Sequence, residues 1–303
     1  MNGLSQIFFL LILSFCFFFN TASAMVKGIY ITQETMENTN YLKHLIKESC
    51  ASGINAFIID MEIPSKRYHM NLDLLKASNI AYIARVIIFP NGGGTREQVA
   101  SVDYWNKKYA LIKTAVEWGA KEIQLDYIRY NTKQRPSHEN ALNIYKVIQW
   151  YKNKLSAQNI PLQIDVFGVA SFGESKYIGQ NIKLFAQSID AVCPMVYPSH
   201  YFPFRIHATQ PYATVYNSLI SIKEQFDNKL PFKLYPYIEL TNFHFPFSRT
   251  YTLKYIREQI RAAENAGADG FFVWSPHNKY DNLFRVLKSK QDNEPVVSSR
   301  GGG

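Results

Sequence analysis

Cysteine is scarce in this sequence, so disulfide bonds do not supply the main cross-links of the fold. The chain of 303 residues contains three cysteines, and Cys16 lies within an apolar leader of 24 residues. The other two, Cys50 and Cys193, are far apart and form no disulfide framework. Cys193 lies in an apolar run, where a cysteine is usually a small buried hydrophobe. A packed core must therefore hold the fold, and a hydrophobic content of 47% is enough to build one.

The sequence also lacks the short motifs of several enzyme classes. The first predicted strand is followed by QETMEN, without the glycine-rich turn of a dinucleotide-binding fold. The NGGG loop at 91–94 is not part of a phosphate-binding G-x-x-x-x-G-K pattern, and a G-x-S-x-G serine esterase motif is absent. The late-loop histidines lack the spacing of zinc ligands: His200, His207, His244 and His277. We therefore expect no metal and no cofactor.

Charged side chains are absent from the first 24 residues. Residues 7–19 form an apolar run, and Ala22, Ser23 and Ala24 make a small-residue cleavage site. The run is short for a transmembrane helix. The sequence thus predicts a secretory signal peptide at 1–24 and a secreted or periplasmic protein. An uncleaved N-terminal membrane anchor and a start at Met25 without a signal are the alternatives.

The remaining chain keeps the whole net charge of +9, which favours attraction to anionic surfaces. The lysines and arginines are scattered, and no basic block or nucleic-acid motif is present. We expect no nucleic-acid partner. A solvated basic surface is the simpler interpretation, and peripheral contact with an anionic cell envelope is the functional one. The sequence does not predict the oligomeric state.

Strand and helix patterns alternate through the chain without a linker. Strands are predicted at 26–32, 54–60, 80–89, 122–130, 161–167, 190–197, 231–239 and 270–275. Each is followed by a helical pattern, which favours a parallel sheet. Eight such units predict an α/β fold with a single (β/α)8 TIM barrel at 25–289 and a disordered tail at 290–303. An open doubly wound sheet is the alternative.

Acidic residues occupy the ends of several predicted strands. In a (β/α)8 barrel the C-terminal strand ends carry the active site. These positions hold Asp60 with Glu62 two residues on, Asp126, Asp165 and Glu239, while Trp274 ends the eighth strand.

Strands four and five share the patterns IQLD and LQID, which place a glutamine and an aspartate on one face. Asp126 should therefore face the barrel mouth, with Gln124 one layer below. The residues between them, including Ile123, Leu125 and Tyr127, should meet the surrounding helices.

A single strand-end acid is often a cap or half of an ion pair, and Arg85 and Arg129 are obvious partners. Four acids on one rim are harder to explain by pairing, because burying several carboxylates together costs stability. Two carboxylates beside aromatic side chains suit glycosidic bond cleavage. Aromatic residues make up 15% of the chain. Since Asp126 and Asp165 are on neighbouring strands, the short carboxylate separation of a retaining enzyme is favoured.

Several segments resemble a bacterial glycoside hydrolase family with a TIM-barrel fold, distantly akin to alpha-amylase-type barrels. The resemblance covers roughly residues 26–280 and is carried by VKGIYIT, NAFIID, IARVIIF, KEIQLDYIRY, IDVFG, IGQ, PMVYPSHY, QPYATV and GADGFFVW. It implies a glycoside hydrolase and names no substrate. Position 128 is Ile, so the further glutamate of a chitinase-type fourth strand is missing.

The resemblance also implies roles. Asp126 matches the nucleophile position on strand four, with Gln124 where those enzymes often have arginine. Asp165 is the preferred proton donor because its DVFG context matches well. Glu62 and Glu239 depart from the family's pattern and compete for that role, Glu239 as the second choice. The expected substrate-binding residues are Asp60, Glu62, Arg85, Gln124, Arg129, Tyr197, His200, Tyr201 and Trp274.

The sequence therefore predicts a glycoside hydrolase that acts on a polysaccharide or cell-envelope glycan through two carboxylates, with a carbohydrate as its partner. The first alternative is a carbohydrate-binding barrel at the cell surface without catalysis. The second is a surface adhesion or scaffold protein that uses its basic face and is indifferent to the carboxylates.

Overall fold

A closed ring of parallel strands forms the centre of the fold. The computed structural model describes residues 25–291. The predicted signal peptide at 1–24 lies outside them, as does most of the predicted tail. The strands are β1 Val26–Ile31, β2 Ala56–Asp60, β3 Ala81–Ile87, β4 Glu122–Asp126, β5 Leu162–Phe167, β6 Ala191–Met195, β7 Lys233–Leu234, β8 Tyr237–Glu239 and β9 Gly270–Trp274.

Strand pairing closes this ring into a barrel. Sequential neighbours pair in parallel from β1 to β6, and β9 pairs with both β8 and β1. Both β7 and β8 pair with β6, so these two short segments are the halves of the seventh barrel strand. The prediction of a single (β/α)8 barrel is confirmed.

Helices surround the barrel and connect its strands. They are α1 Gln33–Glu37, α2 Thr39–Cys50, α3 Lys66–Ala77, α4 Arg96–Ala100, α5 Val102–Glu117, α6 His138–Ser156, α7 Ile182–Phe185, α8 Phe204–Thr209, α9 Pro211–Glu224, α10 Arg249–Asn265 and α11 Asp281–Gln291. Serine side chains cap the N-termini of the long helices α5, α6 and α10, where they accept hydrogen bonds from otherwise unpaired backbone N–H groups. Within residues 25–291, no helix is both long and apolar enough to cross a bilayer.

The alternation of side chains along β4 divides them between two layers. Ile123 and Leu125 are fully buried in the core between barrel and helices, as expected. Gln124 points into the barrel, where its amide donates to Gln163 and contacts the Cys193 sulfur. Tyr237 donates its hydroxyl to Gln124 Oε1 at 2.8 Å. The barrel interior thus contains a satisfied polar layer, and Asp126 lies directly above it.

Candidate active site

A cavity of about 220 Å³ opens at the C-terminal ends of the strands. This is small for a ligand pocket, which typically has about 300–1,000 Å³. Its wall combines two carboxylates and one guanidinium with mostly aromatic side chains. The lining residues are Tyr30, Arg85, Asp126, Tyr127, Asp165, Phe167, Met195, Tyr197, His200, Tyr237 and Trp274.

Arg85 on β3 lies at the centre of the acidic cluster. It donates to Asp126 from Nε, at 3.1 Å, and from Nη2, and it donates to Asp60 from Nη1. Its Nε is also 3.7 Å from Asp165 Oδ2. Burial alone would lower the pKa of Arg85, but these carboxylates outweigh it and raise the pKa above its usual value. One permanent positive charge thus faces three aspartates.

Asp126 has a hydrogen-bond partner on each carboxylate oxygen. Oδ2 accepts from the Arg85 guanidinium, and Oδ1 accepts from the backbone N–H of Tyr127 at 2.5 Å. Both are donors that stabilise a negative charge. Asp126 also lines the cavity, so this carboxylate is charge-compensated and accessible from the mouth of the barrel.

Asp165 lies beside Asp126 on β5 in a contrasting environment. The residue is 2% exposed, and its Oδ1 is buried with no hydrogen-bond partner. Burial and the neighbouring charge of Asp126 raise the pKa of Asp165 well above its usual range, against the opposing effect of Arg85. These surroundings favour the protonated form of Asp165 more than water would. Two adjacent carboxyl groups in such unequal environments are an arrangement that suits acid-assisted bond cleavage.

Tyr127 departs from the strand pattern that the sequence suggested. We expected its ring to meet the surrounding helices, but β4 ends at Asp126 and Tyr127 adopts a left-handed conformation with φ of 51°. The turn points the Tyr127 N–H at Asp126 Oδ1 and brings Tyr127 to the cavity wall. A left-handed tyrosine is rare, and such outliers concentrate at functional sites.

Arg129 does not pair with an acid in the way that Arg85 does. Its guanidinium carbon lies 4.6 Å from the ring centroid of Phe167 and 5.7 Å from that of Tyr127. Nη1 donates to the carbonyl of Tyr130, while the buried Nε has no partner. Arg129 thus lies behind two rings of the cavity wall and adds positive charge near Asp126.

An aromatic wall faces the two aspartates. The Tyr197 ring lies 5.8 Å from that of Trp274 and 5.0 Å from that of His200. Burial and the nearby His244 lower the pKa of His200, so its imidazole is neutral at neutral pH. Rings of this kind pack against the apolar faces of ligands, while their polar atoms remain available for hydrogen bonds.

Glu239 is placed on the same rim but outside this cavity. Its carboxylate accepts from the Ser199 backbone N–H, the Ser199 hydroxyl and the Tyr255 hydroxyl. Burial raises the pKa of Glu239 to about 7, although these hydrogen bonds oppose the shift. Glu239 borders a second cavity of about 490 Å³, which shares Trp274 with the first. It therefore connects β8 and α10 to the loop that carries His200.

The other predicted substrate-binding residues take different positions. Asp60 is buried, and it accepts from Arg85 and from the Tyr30 hydroxyl. Gln124 lies below the cavity in the barrel interior, and Glu62 is exposed outside its lining. Tyr201 lies against Gly168 and beside Ser218, also outside the lining. The structure thus brings together Arg85, Asp126, Asp165, Tyr197, His200 and Trp274, with Asp60 behind them.

Five lining residues were not predicted: Tyr30, Tyr127, Phe167, Met195 and Tyr237. Tyr30 was within reach of sequence reasoning, since it lies near the C-terminal end of β1. The strand-end pattern selects acids and a tryptophan, so it does not identify this tyrosine. It does not identify Met195, at the end of β6, for the same reason.

No group of histidine, cysteine, aspartate and glutamate side chains within 25–291 has the arrangement of a metal site. At the acidic cluster, the Arg85 guanidinium lies where three carboxylates converge.

Comparisons with known proteins agree with this architecture. Residues 97–280 match the family described as "Putative glycosyl hydrolase domain". No curated protein matches the chain.

Solved structures share the fold at low sequence identity. The endo-beta-1,4-mannanase from Thermotoga petrophila has a TM-score of 0.65 at 11% identity, over 88% of this chain and 76% of that one. A chitinase from Chromobacterium violaceum has 0.61 at 13%, over 89% and 100%. The spore cortex-lytic enzyme SleL of Bacillus cereus has 0.61 at 12%, over 87% and 73%. At such identities these likenesses establish the fold alone.

Proposed function

This chain belongs to the family described as "Putative glycosyl hydrolase domain", and on that premise we propose that it hydrolyses glycosidic bonds of a polysaccharide through Asp126 and Asp165. The observation that carries the proposal is their unequal pairing. Asp126 is compensated by Arg85, whereas Asp165 is buried with a free Oδ1. A cell-envelope glycan is the substrate class that fits the predicted export and the net charge of +9.

Asp165 acts as the general acid in this proposal. Its raised pKa favours a proton on the carboxyl group. The unpartnered Oδ1 leaves one oxygen without a competing protein partner. Asp165 gives its proton to the glycosidic oxygen as the bond to the anomeric carbon breaks, so the leaving sugar departs as a neutral alcohol.

Asp126 acts as the nucleophile or the base. Arg85 Nε lies 3.1 Å from Asp126 Oδ2 and 3.7 Å from Asp165 Oδ2. These two carboxylate oxygens are therefore less than about 7 Å apart. That bound favours the separation of a retaining enzyme, about 5–5.5 Å, over most of the inverting range of about 6.5–9.5 Å. Asp126 then forms a bond to the anomeric carbon, and water releases the sugar in a second step.

The aromatic wall positions the sugar in this proposal. Trp274 and Tyr197 offer ring faces to the apolar face of a pyranose, and the neutral imidazole of His200 offers a hydrogen bond to a hydroxyl group. The small cavity volume suits the ring that carries the scissile bond, with the rest of the substrate outside.

A carbohydrate-binding barrel without catalysis is the second candidate. It is favoured by the complete pairing of Asp126, since both carboxylate oxygens already accept protein donors. In that case Arg85 is a structural counter-ion, and the aromatic wall alone binds the glycan.

The test is the release of reducing ends from a panel of bacterial and plant polysaccharides by residues 25–303. Asp126→Asn and Asp165→Asn are measured beside the exposed Asp73→Asn as a matched control. Release by wild type and by the control, with none by the two site variants, supports hydrolysis at this site. Equal release by Asp126→Asn moves the chemistry elsewhere, and glycan binding without any release supports the binding barrel.

We infer that the protein is secreted or periplasmic and contacts an anionic envelope peripherally. Fractionation of cells that express the full chain tests the first inference. Salt-sensitive binding to isolated envelope tests the second, because electrostatic attraction between exposed charges is screened by salt.

A further inference from the structure

Two neighbouring loops at the barrel mouth are aromatic and almost without charge. The segment 197–204, YPSHYFPF, follows β6, and the segment 240–247, LTNFHFPF, follows β8. Neither contains lysine, arginine, aspartate or glutamate, although the chain carries a net charge of +9. Both begin at C-terminal strand ends, so they lie on the same rim as Asp126.

The rings of these loops contact one another in an unbroken series. Ring centroids are 5.0 Å apart for Tyr197 and His200 and 5.6 Å apart for His200 and Phe243. The series continues from Phe243 through His244, at 6.4 Å, and on to Phe204, at 3.9 Å. It ends at Phe202, 5.8 Å from Phe204. We call these six residues the aromatic track.

The aromatic track is buried at one end and exposed at the other. Tyr197 and His200 line the active-site cavity, and Phe243 borders the second cavity, which shares Trp274. Phe243 is 58% exposed, and Phe202 is 81% exposed. Large exposed aromatic side chains in a row are unusual on a soluble surface and mark an interaction site.

We propose that the aromatic track binds an extended, uncharged stretch of the glycan chain whose reacting sugar lies in the active-site cavity. This inference rests on the proposed function for the position of the reacting sugar. A polymer that enters the cavity beside Tyr197 and His200 must leave it over neighbouring surface, and the aromatic track begins at those two residues. Sugar rings stack their apolar faces on aromatic side chains, and the two histidines add hydrogen-bonding nitrogens between the phenylalanines.

The uncharged character of both loops argues for the neutral part of a glycan. A partner bound by charge would require basic or acidic side chains on the aromatic track, and the two segments have none. A lipid surface would also accept exposed phenylalanines, but it would give no reason for the series to run into the active-site cavity. The experiment therefore includes lipid vesicles, which would reveal binding to a membrane instead.

The experiment compares Phe202→Ala/Phe243→Ala with Phe172→Ala. Phe172 is a matched control, because it is 57% exposed near the same rim and contacts the Tyr201 ring outside the aromatic track. The readout is the kcat/KM for a long polysaccharide divided by that for a 4-nitrophenyl glycoside of the same sugar. We expect this ratio to fall about 2- to 12-fold for each phenylalanine removed, the range for one aromatic stacking contact, and to stay unchanged in Phe172→Ala.

Gel retardation in glycol chitin and in soluble mannan measures glycan binding independently of hydrolysis. Wild type that is retarded but releases no reducing ends, with retardation lost in the double variant, supports the aromatic track while the proposed hydrolysis fails. An unchanged ratio and unchanged retardation in the double variant would overturn the inference. So would wild-type binding to phosphatidylcholine vesicles that the double variant loses while it keeps its glycan retardation.

Discussion

Asp126 and Asp165 both lie beside the Arg85 guanidinium, but Asp126 accepts hydrogen bonds from it and Asp165 lies farther away. Arg85 donates to Asp126 through Nε and Nη2, whereas its closest approach to Asp165 is 3.7 Å, and Asp165 Oδ1 is buried without a partner. Neighbouring strands β4 and β5 thus supply one compensated carboxylate and one desolvated acid. In the proposed function this difference distinguishes the nucleophile or base, Asp126, from the general acid, Asp165.

Replacing Asp165 by asparagine should stabilise the protein at alkaline pH. The folded-state pKa of Asp165 is raised, so the folded chain holds this proton more tightly than the unfolded chain. The resulting stability is complete below the unfolded pKa, about 3.9, and is lost as pH rises through the folded pKa. An asparagine side chain cannot ionise, so we expect the Tm of the variant to exceed that of wild type at pH 8.

The check is differential scanning fluorimetry of wild type and Asp165→Asn from pH 4 to pH 8. The gap in Tm should widen in favour of the variant as pH rises. A gap that narrows over this range would mean that Asp165 is ionised and paired in the folded protein.

Removing Arg85 should cost far more stability than removing an exposed cation. Arg85→Leu leaves Asp60 and Asp126 buried without their counter-ion, and breaking a buried pair costs about 3–5 kcal/mol. Lys113→Leu is the control, since the Lys113–Glu117 pair is exposed and worth at most about 1 kcal/mol. Urea unfolding at pH 7 measures both free energies of unfolding. Equal losses in the two variants would contradict a structural role for Arg85.

Glu239 should make stability depend on pH around neutrality. Its pKa is raised by burial to about 7, so the folded state binds this proton more tightly than the unfolded state. Stability from Glu239 is present at acid pH and lost as pH rises through about 7. Relative to Glu239→Gln, wild type should lose roughly 3 kcal/mol between acid pH and pH 8.

Glutamine suits this comparison, because its oxygen can accept from Ser199 and Tyr255 while its amide donates to the Ser199 hydroxyl. Urea unfolding of both proteins at pH 4.5 and pH 8 is the measurement. A free-energy difference that is the same at both pH values would mean that Glu239 does not titrate in this range.

The barrel and the parity of β4 were predictable because period-two alternation and strand–helix order depend on local sequence. Gln124 and Asp126 point inward as that alternation requires, and Ile123 and Leu125 point outward. Tyr127 was not predictable, since the pattern gives no signal for the left-handed turn that ends the strand.

Contacts with residues distant in sequence determine where the side chains of Tyr201 and Glu239 lie, and the sequence pattern does not predict these contacts. Tyr201 is adjacent to the track residue Phe202 in sequence, but its ring lies against Gly168 and Ser218. Glu239 sits at a strand end as Asp126 does, yet Ser199 and Tyr255 take up its carboxylate. Those donors come from a distant loop and from α10, and strand periodicity carries no information about them.

The roles of the two aspartates are tested most directly by changing the leaving group. Asp126→Asn and Asp165→Asn are assayed on the natural glycosidic bond and on a 2,4-dinitrophenyl glycoside, whose leaving group needs no protonation. Asp165→Asn should lose about 10²- to 10⁴-fold in kcat on the natural bond, the range for general acid catalysis, and keep most activity on the activated substrate. Asp126→Asn should lose activity on both. Activity of Asp126→Asn on the activated substrate, or equal losses of Asp165→Asn on both, would contradict the assignment.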